Sequence, residues 1–580
     1  MPWWLRRLVD FINWLAARIS GRKYDELARR IGRDPEMVAA AGRPRFVAVQ
    51  IDGLAHEYLL RAMALGYTPT LQRLIAHGYR LQRWRCGLPS STPAVQAGLL
   101  YGANWDIPAF RWYEKADGFA PSCKVPRHIE RIKARVVANR PGILAGGSSY
   151  ANMLDGDARL TLFTLSAMGR QRFFEQLRGL GWALLFALIP WRTFRVIGLM
   201  IWELLRDLGR TVVLWARSRF RRRLKLVRPF LQVLANVLLG EIQAFGLLLD
   251  VYRGMPAIYA NFYGYDEIAH QEGPLSREAL RALRRIDGHI RQIDRVRRTY
   301  WPDMDLYVLS DHGMTPTVSF ETLAGEPLGR FVASHVQASV VWDETWEQIG
   351  GKRRERAAGL LPERSRWLLD ELDGVETHLS WRGQKLVQTL RRWLQDRTLP
   401  EEDHDWDLAR GSDVVVRSSG NLAHIYFNVT HERMAISEVA ILYPDLLEAL
   451  VRQPGIGMVL GLEAGRPVVV TNHGTAALTA NWLPPGLPEP EQSAADLGRL
   501  ISFPHSGDLV LLGTWNDHSH VVTFEDQIAT HGGIGGPQDY PFFLTPPDVP
   551  LDLSKITNAR QLYPFFMRRY HGLDAQADPR

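Results

Sequence analysis

The chain has 580 residues, more than one hydrophobic core ordinarily serves, so one large domain with insertions, or about two to four domains, is expected. Hydrophobic residues at 46% and charged residues at 23% exclude a mainly disordered chain; two cysteines, Cys86 and Cys123, exclude a disulfide framework or a cysteine-rich zinc site and read as free, buried thiols. A net charge of +8 and a pI near 9.4 point to an anionic partner, whether nucleic acid, acidic lipid headgroups or a phosphorylated substrate.

The opening segment, 1–40, reads as an amphipathic helix rather than a secretory signal. Trp3, Trp4, Leu8, Phe11, Ile12, Leu15 and Ile19 share one face, and Arg6, Arg7, Arg18 and Arg22 are available to phosphate headgroups. A helix packed on its own domain is the other reading. Next comes a strand-like run, Phe46 to Ile51, ending in Asp52-Gly53. In PSSTPAVQAGLLYG, Pro93 suits the first turn of a helix running to Leu100.

The segment 170–250 breaks the rhythm with two apolar runs, Gly179 to Trp191 and Val196 to Trp202, and a basic cluster of Arg217, Arg219, Arg221, Arg222, Arg223 and Lys225. Spanning a bilayer takes roughly 20 apolar residues, so neither run qualifies. With Trp182, Trp191 and Trp202 placed for an interfacial belt and no nucleic-acid-binding motif in sight, the expectation is an in-plane or re-entrant anchor on an anionic membrane surface. That location is peripheral or monotopic, on the cytoplasmic face. A buried helical layer over the sheet is the alternative.

Strand grammar resumes at Ala257 to Phe262, leading to Asp266. After Pro274, Ser276 can cap a helix in which Leu283, Ile286, Ile290 and Ile293 recur at helical spacing. Leu306 to Leu309 leads to Ser310-Asp311-His312-Gly313, a charged segment over 345–411 reads as a helical cap, and Leu509 to Leu512 precedes a loop reaching His531. Strands alternating with helices predict an α/β fold, a mainly parallel central sheet flanked by helices. The expected division is 1–40 amphipathic helix, 41–169 first catalytic part, 170–250 apolar and basic insertion, 251–344 second catalytic part, 345–411 cap insertion and 412–580 third catalytic part.

The chemistry-bearing residues sit in separated blocks. Asp52 closes VAVQIDGL, with a glycine behind it that lets the backbone pass close to a metal. Ser91 and Thr92 offer hydroxyls at the start of a helix; an ordinary helix cap is the bland reading. NFYGYDEIAHQEG sets Asp266 and His270 one helical turn apart, and VLSDHGM delivers Asp311 and His312 at a strand end. THGGIGGPQ offers His531 between a threonine and two glycines, whereas His473, His505, His518 and His520 read as surface or core histidines.

Together these blocks resemble the type I phosphodiesterase/nucleotide pyrophosphatase family of the alkaline phosphatase superfamily. Matching Pro89 to Gly102 without gaps puts Thr92 at the family's nucleophile position; using the proline as anchor puts Ser91 there. The resemblance implies an alkaline phosphatase-like fold and two divalent metal ions, one held by Asp266, His270 and His531, the other by Asp52, Asp311, His312 and the Thr92 oxygen. Nitrogen and carboxylate donors suit zinc, with manganese or iron as alternatives. Where diester-cleaving relatives place an Asn to hold a phosphate oxygen, this chain has DIPAFRWYEK, and Arg111 is expected to serve that oxygen; its charge also suits a dianionic monoester. The resemblance therefore implies a two-metal phosphoester hydrolase, a membrane-associated phosphodiesterase working through a Thr92 phospho-enzyme on a phospholipid or nucleotide. A phosphomonoesterase or phosphoryl transferase on a lipid-linked substrate, and a non-catalytic membrane scaffold with a hydrolase-like fold, are the alternatives.

Overall fold

A computed structural model describes residues 44–168, 240–342, 411–516 and 519–580. Seven strands make the central sheet: β1 (Arg45–Ile51), β2 (Arg80–Arg83), β3 (Ser148–Tyr150), β4 (Leu160–Leu162), β5 (Ala257–Phe262), β6 (Met304–Leu309) and β7 (Phe542–Thr545). Their order is β2-β7-β6-β1-β5-β3-β4, with every pair parallel except the two that β7 makes. Strands buried on both faces read as continuous apolar runs, and β1 and β5, at the middle of the sheet, have that composition. This is the expected α/β architecture.

Four helices matter for the site. They are α1 (Thr92–Tyr101), α2 (Gly240–Arg253), α3 (Gly264–Glu272) and α4 (Arg277–Tyr300). Ser276 caps α4 as its sequence predicts, its Oγ accepting from the amide of Ala279 at 3.1 Å. The spaced apolar face, Leu283, Ile286, Ile290 and Ile293, enters the core, where each such side chain contributes about 1.5–3 kcal/mol. Cys86 and Cys123 are free and buried.

Two expectations are corrected here. The strand Leu509–Gly513 is not part of the parallel sheet. It lies inside a second seven-stranded sheet, antiparallel to Leu422–Phe427 and Ile456–Glu463. The chain instead approaches His531 through the short strand Ala529–Thr530, which pairs antiparallel with Thr315–Ser319.

The expected membrane-associated location, peripheral or monotopic on the cytoplasmic face, is also corrected. Among the described residues no helix is long and apolar enough to cross a membrane. The one described part of the 170–250 run belongs to α2, whose Ala244, Phe245, Leu247, Leu248, Leu249 and Val251 are buried in the core. Those six side chains are covered by protein. The N-terminal segment, the rest of that run and all but the last residue of the cap segment lie outside the described residues.

Candidate metal and phosphoester site

Ligands in a parallel sheet gather where neighbouring strands end. In this sheet β1 lies between β5 and β6. Asp52 therefore follows β1, Asp311 and His312 follow β6, and Asp266 and His270 ride on α3 just beyond β5. His531 joins them because the Ala529–Thr530 pairing, Thr530 opposite Thr315, lays its loop beside the turn that holds His312. The two imidazoles stack with ring centroids 3.7 Å apart. Gly53 carries the close approach that its sequence position suggests. Its φ is +72°, and a Cβ there would fall 2.4 Å from Oδ1 of Asp266.

Two groups of donor atoms lie within 4.8 Å of one another: Asp266, His312 and His531, and Asp52, Asp311 and His312. His312 stands between the two groups, and His270 reaches the first through Asp266, its Nε2 lying 3.4 Å from Oδ2. Thr92 Oγ1 is 3.3 Å from Asp52 Oδ1 and 3.2 Å from His312 Nε2. The Ser91 hydroxyl is buried without a hydrogen-bond partner, so Thr92 is the hydroxyl in contact with the centre. It opens α1, whose N-terminal amides favour an anion.

Each of the three imidazoles is anchored through Nδ1 to a main-chain carbonyl. His270 uses Ala529 at 2.8 Å, His312 uses Gly313 at 2.9 Å and His531 uses Ser90 at 2.9 Å. An Nδ1–H donated to a carbonyl leaves Nε2 as a lone pair aimed inward, the arrangement of a metal-ligating histidine. Burial, reinforced by Asp311 and Asp266, pushes the Asp52 carboxyl well above its usual range. Burial raises Asp311 as well. Burial would raise Asp266 too, but His270, His531 and His312 outweigh it and hold that carboxyl below the usual range. Burial and the neighbouring His312 push His531 well down, whereas for His270 the attraction of Asp266 overcomes burial and raises it. Oδ1 of Asp266 and Oδ2 of Asp311 are buried without hydrogen-bond partners. Two buried carboxylates and the half-buried one of Asp266, inward lone pairs and orphaned oxygens fit divalent cations, which would satisfy all of them.

The remaining expected residue is Arg111. Arg111 pairs with Glu525, whose other oxygen accepts from the amide of Gly420 at 3.0 Å, and its ion pair is with none of the seven. His505 binds Asp106 at 2.7 Å, and His473 and His520 are exposed. Sequence pattern does not single out Ser90 or Asn261. Ser90 splints the His531 loop, its Oγ accepting from the amide of Gly532 at 3.0 Å and donating to the carbonyl of Gly533 at 3.1 Å. Asn261 donates Nδ2 to Oδ2 of Asp52 at 2.7 Å. The one signal available for it was an amide near the end of the buried strand AIYANF.

The fold and this centre define the class: an α/β phosphoester hydrolase. The family model described as Type I phosphodiesterase / nucleotide pyrophosphatase matches residues 217–425, which contain Asp266, His270, Asp311 and His312. The chain thus matches the family its motifs resemble. No curated protein matches the sequence. Among solved structures, phosphonoacetate hydrolase from Sinorhizobium meliloti 1021 in complex with phosphonoformate overlaps at 15% identity, covering 90% of this chain and 94% of its own, with a TM-score of 0.41. An inactive variant of murine ectonucleotide pyrophosphatase/phosphodiesterase 5 in complex with AMP overlaps at 12% identity, 92% and 97% coverage and a TM-score of 0.43. The assignment rests on the family match and the centre rather than on these low-scoring overlaps.

Proposed function

We propose that this chain is a two-cation phosphodiesterase in which Thr92 is the nucleophile. The observation that carries the reading is convergence: Asp52, Thr92, Asp266, His270, Asp311, His312 and His531, from five separate segments, meet at one centre, with all three histidines anchored through Nδ1. Asp52, Asp311, His312 and Thr92 would hold one ion and Asp266, His270 and His531 the other, with zinc as the best match to the donors. Divalent ions, when bound there, would supply charge to stabilise the attacking and leaving oxygens and make the hydroxyl more acidic.

The chain's own residues do the rest. The Thr92 hydroxyl donates to Asp52 Oδ1, and His312 Nε2 lies 3.2 Å from the same oxygen. Thr92 gives up its proton to solvent as its oxygen bonds to phosphorus, the P–O bond opposite breaks and the departing oxygen takes a proton from solvent, and water then cleaves the Thr92 ester to release the phosphate monoester, which splits one displacement into two easier ones. The N-terminal amides of α1 would favour the phosphate oxygens of a bound substrate.

A diester of the nucleotide or phospholipid class is the substrate this reading favours. Turnover of bis-p-nitrophenyl phosphate above that of p-nitrophenyl phosphate supports it; the reverse preference turns the assignment to a phosphomonoesterase. Thr92→Ala is expected to abolish turnover of either while metal analysis still finds about two ions per chain, since six side-chain ligands remain. Loss of activity in Ser91→Ala with Thr92→Ala near normal would move the nucleophile by one residue.

A further inference from the structure

Beneath the centre lies a second polar layer that the chemistry above does not use. Gln50 on β1 and Asp52 just after it are two residues apart and face the same side, as do Tyr259 and Asn261 on the adjoining β5, where Gln50 and Asn261 are register partners. Thr92 and Gln96 are one turn apart on α1. Asp52, Asn261 and Thr92 thus each have a polar residue below them in the same segment. In the lower layer Gln50 Oε1 accepts from the Tyr259 hydroxyl at 2.7 Å and from Gln96 Nε2 at 3.1 Å. All six are buried.

A buried network of amides costs desolvation that an apolar core would avoid, and here Gln50 Nε2 and Asn261 Oδ1 are buried without hydrogen-bond partners, so the bonds that are made set the arrangement. The upper layer contains a corresponding tie. Asn261 Nδ2 donates to Asp52 Oδ2 at 2.7 Å, while Oδ1 of Asp52 takes the Thr92 hydroxyl at 3.3 Å. The amide has one chemically sensible orientation, because its oxygen turned toward the carboxylate would repel it. The two oxygens of Asp52 are therefore assigned different partners.

We propose that Asn261 is a positioning residue that holds Asp52 by Oδ2 and so presents Oδ1 alone to the nucleophile and cation, with Gln50, Tyr259 and Gln96 fixing the register of the three elements beneath. The inference rests on the two-cation reading. Without the tie, the carboxylate rotates about its Cβ–Cγ bond and ceases to be preorganised. Loss of such an outer partner ordinarily weakens metal affinity by about 10–100-fold.

The test compares the full chain with Asn261→Leu and Asn261→Ser, each stripped of metal and titrated with Zn²⁺. Readouts are ions bound per chain, the melting temperature of the metal-free protein, and kcat and KM on bis-p-nitrophenyl phosphate. The expected result is that one ion binds as in the parent and the other about 10–100-fold more weakly, with kcat reduced at least tenfold and KM nearly unchanged. Asn261→Ser leaves room for water to replace the amide, so it gives the answer if Asn261→Leu fails to fold. Variants that keep both affinities and kcat overturn the proposal, and so does a lower melting temperature as the sole change. A parent chain that binds fewer than two ions overturns the two-cation reading itself.

Discussion

Gly53→Ala separates the geometry of the centre from the stability of the fold. At φ +72° an added side chain meets the ordinary penalty of left-handed backbone, about 1–2 kcal/mol. It also meets Asp266: the new Cβ would lie 2.4 Å from Oδ1 and 3.2 Å from Cβ and Cγ, whereas ordinary contact begins at 3.4 Å. Relief requires the carboxylate to move by about 1 Å, a misplacement that in an active site costs on the order of 100-fold in rate. Gly66 is the matched control, with φ +74° and nothing within 4 Å of the added atom. Both variants should lose similar stability in urea melts. Only Gly53→Ala should lose about 100-fold in kcat/KM on bis-p-nitrophenyl phosphate and retain less metal after dialysis. If the two variants share activity and metal content, Asp266 does not act at the place assigned to it.

Three further outcomes follow from named contacts. His531→Ala should deplete one ion selectively in metal analysis; retention of both ions with full rate would pass its role to another histidine. Asp287, buried, accepts from the amides of Thr70 at 3.0 Å and Leu71 at 3.1 Å at the start of the helix Pro69–Ala76, so Asp287→Ala should cost about 2–4 kcal/mol in urea unfolding with catalysis little changed. Burial, opposed by Arg85, pushes the Asp539 carboxyl up to about 7. The unfolded chain ionises this group at its ordinary, lower pKa, so its contribution to stability declines as pH rises from about 4 to about 7 and is level above that. Asp539→Asn should remove this slope and be more stable than the parent at pH 8 by roughly 2–4 kcal/mol, as read by thermal melts across pH.

Much of the centre was legible because its residues sit at the ends of locally recognisable elements. Asp52 and Asp311-His312 close apolar runs of strand length, Asp266 and His270 share a helical turn, and Pro93 marks the start of α1. The six-residue run AIYANF and the caps and periodicity of α4 were equally local. What the sequence could not decide was pairing. Leu509–Gly513 has the composition of a parallel core strand yet lies in the antiparallel sheet, because burial on both faces produces the same apolar run in either setting. The ion pair of Arg111 with Glu525 joins residues more than 400 apart in sequence. The commitment of His312 to both donor groups, and of Asn261 to one oxygen of Asp52, depends on the order β6-β1-β5 and on the Thr530–Thr315 pairing. Periodicity and capping act over a few residues and are written in the chain locally. The distances that turn seven side chains into one site are set by strand register between distant segments, which tertiary packing alone determines.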